Sequence, residues 1–268
     1  MNSIALPDGR SLAYDEYGDA DAPPVVFCHG TPGSRRSAAV FDDCSVRVIA
    51  PDRPGIGGSD PDSGRDFESW REDVVALTDE LGIEAFGVVG FSGGGPFALA
   101  AGDAPGATAV GLVAPAGPPD VGPTDALTIA GRYAPILLRG LFAVQRPIVS
   151  RNPEAALSLY TDADPASLSV PEGVDPVEVF AEDALTATEQ GGKWLARELA
   201  LLSESWSVPN PEVPVRVWSG SADDNVPPSV AETVAEAVDG ERVELSTDHL
   251  ETLCEAREDC VSFVSPSA

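Results

Sequence analysis

The chain has 268 residues and a mass of 27.7 kDa, which suits one substantial hydrophobic core and leaves too little chain for two full domains. Its formal net charge is -28, from 44 acidic and 16 basic residues, and a field of that sign argues against nucleic acid as a partner. Because such self-repulsion destabilises a compact fold unless salt screens it, we expect a halophilic protein from a salt-rich cytoplasm; an ordinary acidic enzyme is the alternative.

Cysteine usage and the N-terminus bear on cofactors and compartment. The cysteines at positions 28, 44, 254 and 260 include no C-x-x-C pair, so we expect reduced thiols and neither a metal nor a redox cofactor. The first residues, MNSIALPDGR, lack a basic start and an apolar core, so no signal peptide is predicted. The apolar stretches are too short to span a bilayer, so no membrane partner is expected. A small-molecule substrate is the expected partner, and the oligomeric state stays open.

The first part of the chain alternates short apolar runs with amphipathic stretches. Runs on either side of Pro7-Asp8-Gly9 predict an antiparallel hairpin over 3–17 at a sheet edge. Helices are predicted near 35–43 and over 66–82. Further strands are predicted at 24–28, 45–50, 86–90 and 107–114. This alternation predicts an α/β protein with a mostly parallel sheet covered by helices on both faces.

The strand rhythm stops between residues 118 and 208. Helices without strands are predicted there at 124–145, 153–161, 176–189 and 192–205. The rhythm returns with strands at 213–219 and 241–246 and helices at 228–238 and 250–263. We therefore predict a core domain formed by residues 1–117 and 209–268, with 118–208 inserted as a helical cap, or lid, after the sixth strand.

Ser92 is the candidate nucleophile. It sits in Gly90-Phe91-Ser92-Gly93-Gly94, which fits G-x-S-x-G between a buried strand and a helix. Glycines leave room for a sharp turn that raises the serine hydroxyl above the sheet. The first amides of the following helix have no partner within it, so they can hold an oxyanion. The alternative is a glycine-rich turn with an incidental serine.

A serine hydroxyl needs a base, and the chain has two histidines. His249 follows the last predicted strand, as the order serine, acid, histidine that accompanies G-x-S-x-G requires, so it is the predicted base. Asp223 and Asp224 follow the strand before it; Asp223 is the preferred acid and Asp224 the alternative. His29 is predicted to support its loop rather than act directly.

Two backbone amides are the predicted oxyanion hole. One is the amide of Gly93, directly after the nucleophile, and the other comes from the loop after strand 24–28. Within that loop Pro32 has no N–H, so Thr31 is the predicted second donor.

With these residues placed, the chain resembles the α/β-hydrolase fold superfamily, in its lidded serine-hydrolase branch related to esterases, prolyl aminopeptidases and epoxide hydrolases. The resemblance covers about 20–264 and is carried by H-G-x-P-G at 29–33, D-R-x-G-x-G-x-S at 52–59 and the serine motif. It implies an eight-stranded sheet and hydrolysis without a cofactor. Epoxide hydrolases and haloalkane dehalogenases have Asp in place of Ser92, which argues against both chemistries. Asp248 stands where relatives often have Gly, so a second carboxylate lies beside the predicted base.

The predicted cap carries the candidates for substrate recognition. Phe91 and Trp194 are the predicted substrate-binding residues. Arg132, Arg139 and Arg146 recur every seven residues, which predicts one shared helix face unless Pro135 or Pro147 divides the helix. That face either guides an anionic substrate or is a solvated, salt-bridged surface. A further apolar set lines an acyl pocket or forms the cap core: Ile129, Tyr133, Ile136, Leu137, Leu141, Phe142 and Trp206.

The sequence predicts a serine hydrolase that cleaves an ester or amide carbonyl through an acyl-enzyme, most simply a carboxylic-ester hydrolase. The alternatives on the same residues are an aminopeptidase, a carbon–carbon bond hydrolase and haloperoxidase-like perhydrolysis. A non-enzymatic small-ligand-binding protein on the same fold is a further alternative. An aminopeptidase needs carboxylates to hold the substrate amine, and the cap offers Glu154, Asp162, Asp164, Glu182 and Asp183.

Overall fold

In a computed structural model, which describes residues 1–121 and 126–266 and only the backbone of 126–128 and 132, the strands form one eight-stranded sheet. The strand order is β1-β2-β4-β3-β5-β6-β7-β8. β1 and β2 form the predicted edge hairpin, β2 pairs antiparallel with β4, and all other pairs are parallel. The strands are β1 Asn2–Ala5, β2 Ser11–Gly18, β3 Pro24–Cys28, β4 Arg47–Pro51, β5 Phe86–Phe91, β6 Ala107–Val113, β7 Val215–Gly220 and β8 Glu241–Leu245.

Helices cover both faces of the sheet, as the alternating pattern predicted. The helices are α1 Phe67–Glu80, α2 Gly95–Ala101, α3 Ala126–Tyr133, α4 Pro135–Val149, α5 Glu154–Leu157, α6 Pro176–Ala187, α7 Gly192–Ser203, α8 Pro228–Ala237 and α9 His249–Val264. The predicted helix near 35–43 is a 3-10 helix, Arg35–Phe41, and shorter 3-10 turns span Ser92–Gly94 and Pro165–Ser167.

The core lies in two layers because successive side chains of a buried strand point to opposite faces. On β5, Val88 packs in the layer under α1, α2 and α8, with Trp70 and Phe97. Its neighbour Val89 packs in the other layer, with Leu253 of α9. All the cysteines are free thiols buried in these layers, at positions 28, 44, 254 and 260.

Five helices, α3 to α7, lie between β6 and β7, where the helical insertion was predicted, and we call these helices and the loops between them the cap. The helix predicted over 124–145 is wrong in one respect: within the described residues it is two helices, divided at Ala134. The residue before a proline is disfavoured in helical conformation, and Ala134 before Pro135 has φ -143° and ψ 48°. Arg132 therefore lies on α3, whereas Arg139 and Arg146 lie on α4. The expectation that all three share one helix face is wrong. The side chain of Arg132 lies outside the described residues.

The carboxyl ends of the parallel strands bring the predicted site together. His29 follows β3, Ser92 follows β5, Asp223 follows β7 and His249 begins α9 after β8. In a parallel sheet these ends share one edge, and ligand sites form there. In the part of the chain that the structure describes, none of the helices combines the length and apolar character needed to cross a membrane.

Candidate active site

Ser92 lies at the apex of a turn whose backbone few side chains tolerate. Its φ is 52°, in the left-handed region, and it is the first residue of the 3-10 turn that leads into α2. A Cβ on Gly90 would lie 2.6 Å from the Cβ of Ala98, and a Cβ on Gly94 would lie 2.1 Å from the Cys28 carbonyl oxygen. The glycines of the motif are therefore required by close packing on both sides of the turn.

Asp223 and His249 form a buried hydrogen-bonded pair. The Asp223 Oδ2 lies 2.7 Å from the His249 Nδ1, and both residues are almost completely buried. The other oxygen of Asp223 accepts hydrogen bonds from the amides of Asn225, at 2.9 Å, and Val226, at 2.8 Å. These bonds fix the carboxylate, which in turn fixes the imidazole so that Nε2 is its free nitrogen. Asp224 is exposed and is not the residue bonded to His249.

Aromatic rings hold the imidazole of His249 from two directions. The ring of Phe91 lies 4.9 Å from it, centroid to centroid, and that of Tyr160 lies 6.3 Å from it at an angle of 11°. The Tyr160 hydroxyl donates to the carbonyl oxygen of Pro32 in a short hydrogen bond. Tyr160 thus connects the cap to both the base and the loop after β3.

Asp248 is bonded away from the base. Its Oδ1 accepts from the amide of Glu251 at 3.0 Å, and the Glu251 carboxylate accepts from the Asp248 amide at 2.9 Å, which is a capping box at the start of α9. Its Oδ2 accepts from the Thr161 hydroxyl at 2.5 Å and from the Asp162 amide at 3.2 Å. The second carboxylate beside the base therefore anchors α9 and the cap rather than the imidazole.

The two predicted oxyanion donors lie next to each other. A Cβ on Gly93 would be 3.0 Å from the Thr31 nitrogen and 2.6 Å from the Thr31 Cβ, so only a glycine lets the loop approach this closely. Both residues border the same cavity as Ser92 and His249. Gly93 and Thr31 are thus neighbours at the wall of the cavity beside Ser92, where an oxyanion hole was predicted.

His29 is a buried support of this loop. Its Nε2 accepts from the Arg53 amide at 3.3 Å, so the proton lies on Nδ1, which donates to the Gly30 carbonyl at 2.9 Å. Burial, with the nearby Arg53 guanidinium, lowers the pKa of His29 to about 3. The imidazole is therefore neutral, and it does not border the cavity.

A buried carboxylate of the cap, Glu198 on α7, ties down the same loop. It accepts from the Thr31 hydroxyl at 2.6 Å and from Arg53 Nε at 2.9 Å and Nη2 at 2.8 Å, and Arg65 lies 3.4 Å away. Burial alone would raise the pKa of Glu198, but Arg53 and Arg65 hold it below its usual range. The carboxylate is thus ionised and neutralised by two guanidinium groups.

Asp183 on α6 holds the other side of the loop. Its carboxylate accepts from the Ser34 amide at 2.8 Å, the Ser34 hydroxyl at 3.0 Å and the Ser37 amide at 3.1 Å. Burial raises the pKa of Asp183 to about 7, against the lowering effect of these donors. Two cap helices therefore fix the segment that carries Thr31.

A cavity of about 380 Å³ opens beside Ser92, a volume within the range of small-molecule sites. Its polar groups include Ser92, His249, Thr31, Tyr160 and Asn225. Most of its wall is apolar and comes from the loops after β3 and β6, the cap and the start of α8: Pro32, Ala116, Pro118, Pro119, Val121, Leu159, Leu199, Leu202, Val226, Pro227 and Val230.

Comparisons with known proteins agree with this architecture. A family model described as the alpha/beta hydrolase fold matches residues 23–111, which contain Thr31 and Ser92. Among solved structures, a hydrolase from Pseudomonas aeruginosa PA01 superposes with a TM-score of 0.67 at 21% identity, covering 99% of this chain and 98% of that one. An enol-lactonase from Burkholderia xenovorans LB400 superposes with a TM-score of 0.67 at 19% identity, covering 98% of each chain.

The chain has the α/β-hydrolase fold. Sequence similarity to curated proteins is confined to about a third of their length. A non-heme chloroperoxidase of Streptomyces lividans is 38% identical over 100 residues, 35% of this chain and 36% of that protein. A bifunctional esterase/perhydrolase of Acinetobacter calcoaceticus is 34% identical over 100 residues, with the same coverage. A proline iminopeptidase of Xanthomonas citri is 30% identical over 106 residues, 37% of this chain and 34% of that protein.

The predicted substrate-binding residues lie elsewhere than expected. Neither Phe91 nor Trp194 borders the cavity among the described residues. Phe91 packs against the His249 ring. Trp194 packs on Gly55, where a Cβ would lie 2.5 Å from its Cγ, and the Lys193 ammonium lies 4.2 Å from its ring centroid. Trp194 therefore packs between the cap and the loop after β4.

The apolar cap residues proposed for an acyl pocket or cap core also divide differently. Phe142 is buried in the cap core, and the Trp206 indole donates to the Leu202 carbonyl at 3.1 Å. The others are solvent-exposed, namely Ile129, Tyr133, Ile136, Leu137 and Leu141. Much of the cavity wall is supplied instead by residues that carry no periodic signal, in the loops around 116–121 and 224–227, alongside Leu199 and Leu202 of α7.

Sequence reasoning missed Glu198 and Tyr160 as residues of this candidate site. Glu198 had a signal, because it lies on the helix face defined by Leu195, Leu199 and Leu202, where an acid is expected only with a buried partner. Tyr160 had none, since a tyrosine near the end of a predicted helix is ordinary. Asp183 was named only as a possible amine ligand, not as the carboxylate that holds Ser34.

Proposed function

We propose that the protein is a serine hydrolase of carboxylic esters, with Ser92, His249 and Asp223 as its catalytic triad. The observation that carries the proposal is the buried Asp223–His249 hydrogen bond of 2.7 Å at a cavity that Ser92 also borders. The left-handed backbone of Ser92 and the neighbouring amides of Thr31 and Gly93 supply the remaining requirements of acyl transfer.

Acylation of Ser92 follows from this geometry. The free Nε2 of His249 takes the proton of the Ser92 hydroxyl as its oxygen bonds to the ester carbonyl carbon. The carbonyl oxygen becomes an oxyanion that accepts from the amides of Gly93 and Thr31, while Asp223 stabilises the imidazolium. As the tetrahedral intermediate collapses, the carbon–oxygen bond breaks and His249 gives its proton to the departing alcohol.

Deacylation repeats these steps with water. His249 takes a proton from a water molecule, whose oxygen bonds to the acyl carbon and forms a second oxyanion at the same amides. Collapse releases the carboxylic acid and returns the proton to Ser92. Replacement of water by hydrogen peroxide at this step gives a peracid, and the similarity to an esterase/perhydrolase makes this perhydrolysis the second candidate activity.

The cavity wall favours an uncharged, apolar acyl group. Aliphatic and proline side chains dominate it, and no lysine or arginine borders it among the described residues. The carboxylates considered for holding a substrate amine, Glu154, Asp162, Asp164, Glu182 and Asp183, do not border it either. Asp224 is the one described carboxylate in the wall, so an ester fits the site better than an N-terminal amine does.

Hydrolysis of p-nitrophenyl esters with acyl chains from acetyl to dodecanoyl tests the proposal. We expect turnover that Ser92→Ala lowers by about 10³-fold or more, with kcat/KM rising to a medium chain length and then falling as the cavity fills. Amino-acid anilides should be much poorer substrates. Turnover of every ester that survives Ser92→Ala would overturn the proposal.

We also propose that the cap, residues 118–208, forms a unit that closes over the site, and that the protein works in high salt. The proposed salt requirement is supported by the formal net charge of -28. At about 1 M salt the Debye length is about 3 Å, so repulsion between carboxylates is largely screened. Urea unfolding from dilute buffer to molar KCl should give a rising free energy of unfolding, and a flat profile would refute the halophilic proposal.

A further inference from the structure

The outer surface of the cap is apolar although the rest of the protein is strongly acidic. Ile136 is 75% exposed, Leu137 73% and Leu141 51%. Apart from Met1, every large apolar residue exposed in the described part of the chain lies between residues 129 and 159. We call the outward residues of α3 and α4 the apolar cap face: Ile129, Ile136, Leu137, Leu141, Val144 and Ile148.

This face is distinct from the side of α4 that packs in the cap. Leu138, Phe142 and Val149 are the buried residues of α4 and point inward, towards α6 and α7. Leu137, Leu141, Val144 and Ile148 are spaced by four, three and four residues, so they form one continuous stripe beside the buried side. The helix α4 thus has a second apolar face that is exposed to solvent, in addition to the face that packs in the cap. Exposed apolar surface of this kind marks an interaction site.

The charge around the apolar cap face is reversed relative to the whole protein. Residues 126–153 contain no aspartate or glutamate and four arginines, namely Arg132, Arg139, Arg146 and Arg151. Every arginine outside this segment has a carboxylate within 4.0 Å. Among the described side chains of the segment, none has a described carboxylate within that distance: Arg146 donates to the Leu185 carbonyl at 2.5 Å and Arg151 to the Pro147 carbonyl at 2.8 Å.

A second copy of the chain is a poor occupant for this face. A two-fold contact through α4 would bring Arg139 and Arg146 of both copies together with no carboxylate on the segment to pair them. A head-to-tail contact would need another apolar patch, and the described surface offers only Met1 outside residues 129–159. The occupant must therefore be apolar, anionic and foreign to this chain.

We propose that the apolar cap face docks on an anionic lipid interface, with α4 lying in the plane of the headgroups. Aliphatic side chains on one face of a helix that otherwise carries only arginine charges are the combination that interfacial helices use. The expectation of no membrane partner was based on spanning alone, and a helix lying on a surface does not need that length. α3 and α4 pack on α7, whose Leu199 and Leu202 border the cavity, so docking brings the cavity wall close to amphiphilic esters.

Flotation with vesicles tests the proposal in the Ser92→Ala background, so that binding is measured independently of any hydrolysis. Vesicles of equal parts phosphatidylglycerol and phosphatidylcholine are compared with vesicles of phosphatidylcholine alone, at about 1 M KCl. At this salt concentration the Debye length is about 3 Å, so the negative charge of the rest of the protein is screened. Only charges in direct contact with the vesicle then affect binding. We expect binding to the anionic vesicles to be several-fold stronger.

Two double variants complete the experiment. Leu137→Glu with Leu141→Glu should weaken binding to anionic vesicles at least about tenfold, since glutamate keeps the helix but not the apolar face. The matched control adds the same charge at exposed serines of α8 and α9, as Ser229→Glu with Ser262→Glu, and should bind like the parent. Absence of binding, equal binding to both vesicle types, or equal loss in both variants would overturn the proposal. If the parent protein is a dimer that does not bind vesicles, and Leu137→Glu with Leu141→Glu dissociates that dimer, the proposal is overturned. The occupant of the apolar cap face would then be a second copy of the chain.

Discussion

The Glu198 carboxylate in the cap accepts a hydrogen bond of 2.6 Å from the hydroxyl of Thr31, a residue that borders the same cavity as Ser92. The same carboxylate neutralises Arg53, which donates to the carbonyl oxygens of His29 and Gly30. The loop that we propose as half of the oxyanion hole is thus held by a helix of the cap, not only by the sheet.

Replacement of Glu198 should therefore cost both stability and activity. Glu198→Gln leaves Arg53 and Arg65 buried without a counter-charge, for which we expect a loss of about 3–5 kcal/mol in the free energy of unfolding. Urea titration at molar KCl measures it. Glu204→Gln is the control, because Glu204 pairs with Arg197 at 3.6 Å on the surface and should change stability by about 1 kcal/mol or less. Equal effects of the two substitutions would contradict this account.

Asp183 should make stability depend on pH in a defined direction. Burial raises its pKa from 3.8 to about 7, so the folded protein retains a proton that the unfolded chain releases in that window. The contribution of Asp183 to stability is therefore fully present below the lower value and is lost as pH rises through the higher one. Because Asp183→Asn stays neutral, the unfolding free energy of wild type minus that of the variant should fall between about pH 4 and about pH 8. A difference that is constant or rises with pH would show that the carboxylate is not held this way.

Glycine requirements of the Ser92 turn can be separated from general helix effects. Gly94→Ala places a Cβ 2.1 Å from the Cys28 carbonyl oxygen and 2.5 Å from that of His29, so the turn must shift. We expect it to abolish ester hydrolysis and to lower stability by about 2 kcal/mol or more. Gly140→Ala, on α4, meets nothing within 4 Å and should stabilise the protein by up to about 1 kcal/mol. Thermal unfolding of both variants provides the comparison, and a harmless Gly94→Ala would refute the packing described for the turn.

The two adjacent aspartates after β7 should behave very differently. Asp223→Asn removes the acceptor that fixes the His249 tautomer, and we expect kcat to fall by about 10⁴-fold. Asp224→Asn changes an exposed side chain in the cavity wall and should affect KM more than kcat. Steady-state kinetics on one good ester decide the matter; a larger loss of kcat in Asp224→Asn would assign the acid to that residue.

Much of the fold was predictable because its signals are local. The buried strands of the sheet are continuous apolar runs. The turn at Ser92 is predicted by its glycines, which the close packing against Cys28 and Ala98 requires. Chain order selected His249 and left Asp223 as the preferred acid beside Asp224, and the structure places His249 and Asp223 within hydrogen-bonding distance.

The substrate cavity and the cap were less predictable because their contacts are not local. Leu137 and Leu141 are apolar residues, but hydrophobic periodicity does not show that their face of α4 is exposed to solvent. Trp194 was predicted to bind substrate as an apolar residue of the cap, whereas its position against Gly55 depends on how the cap packs on the core. Glu198 and Asp183 bind partners that lie about 150 residues away in the sequence. Short-range spacing patterns cannot predict such contacts.

Labelling with a fluorophosphonate tests the central claim most directly, because only an activated serine is phosphonylated rapidly. The adduct is located by mass spectrometry of the digested protein. We predict one modified residue, Ser92, with labelling lost in Ser92→Ala and in His249→Ala while both variants remain folded. A folded wild-type protein that takes up no label, or a label that persists in His249→Ala, would contradict the proposal that His249 activates Ser92.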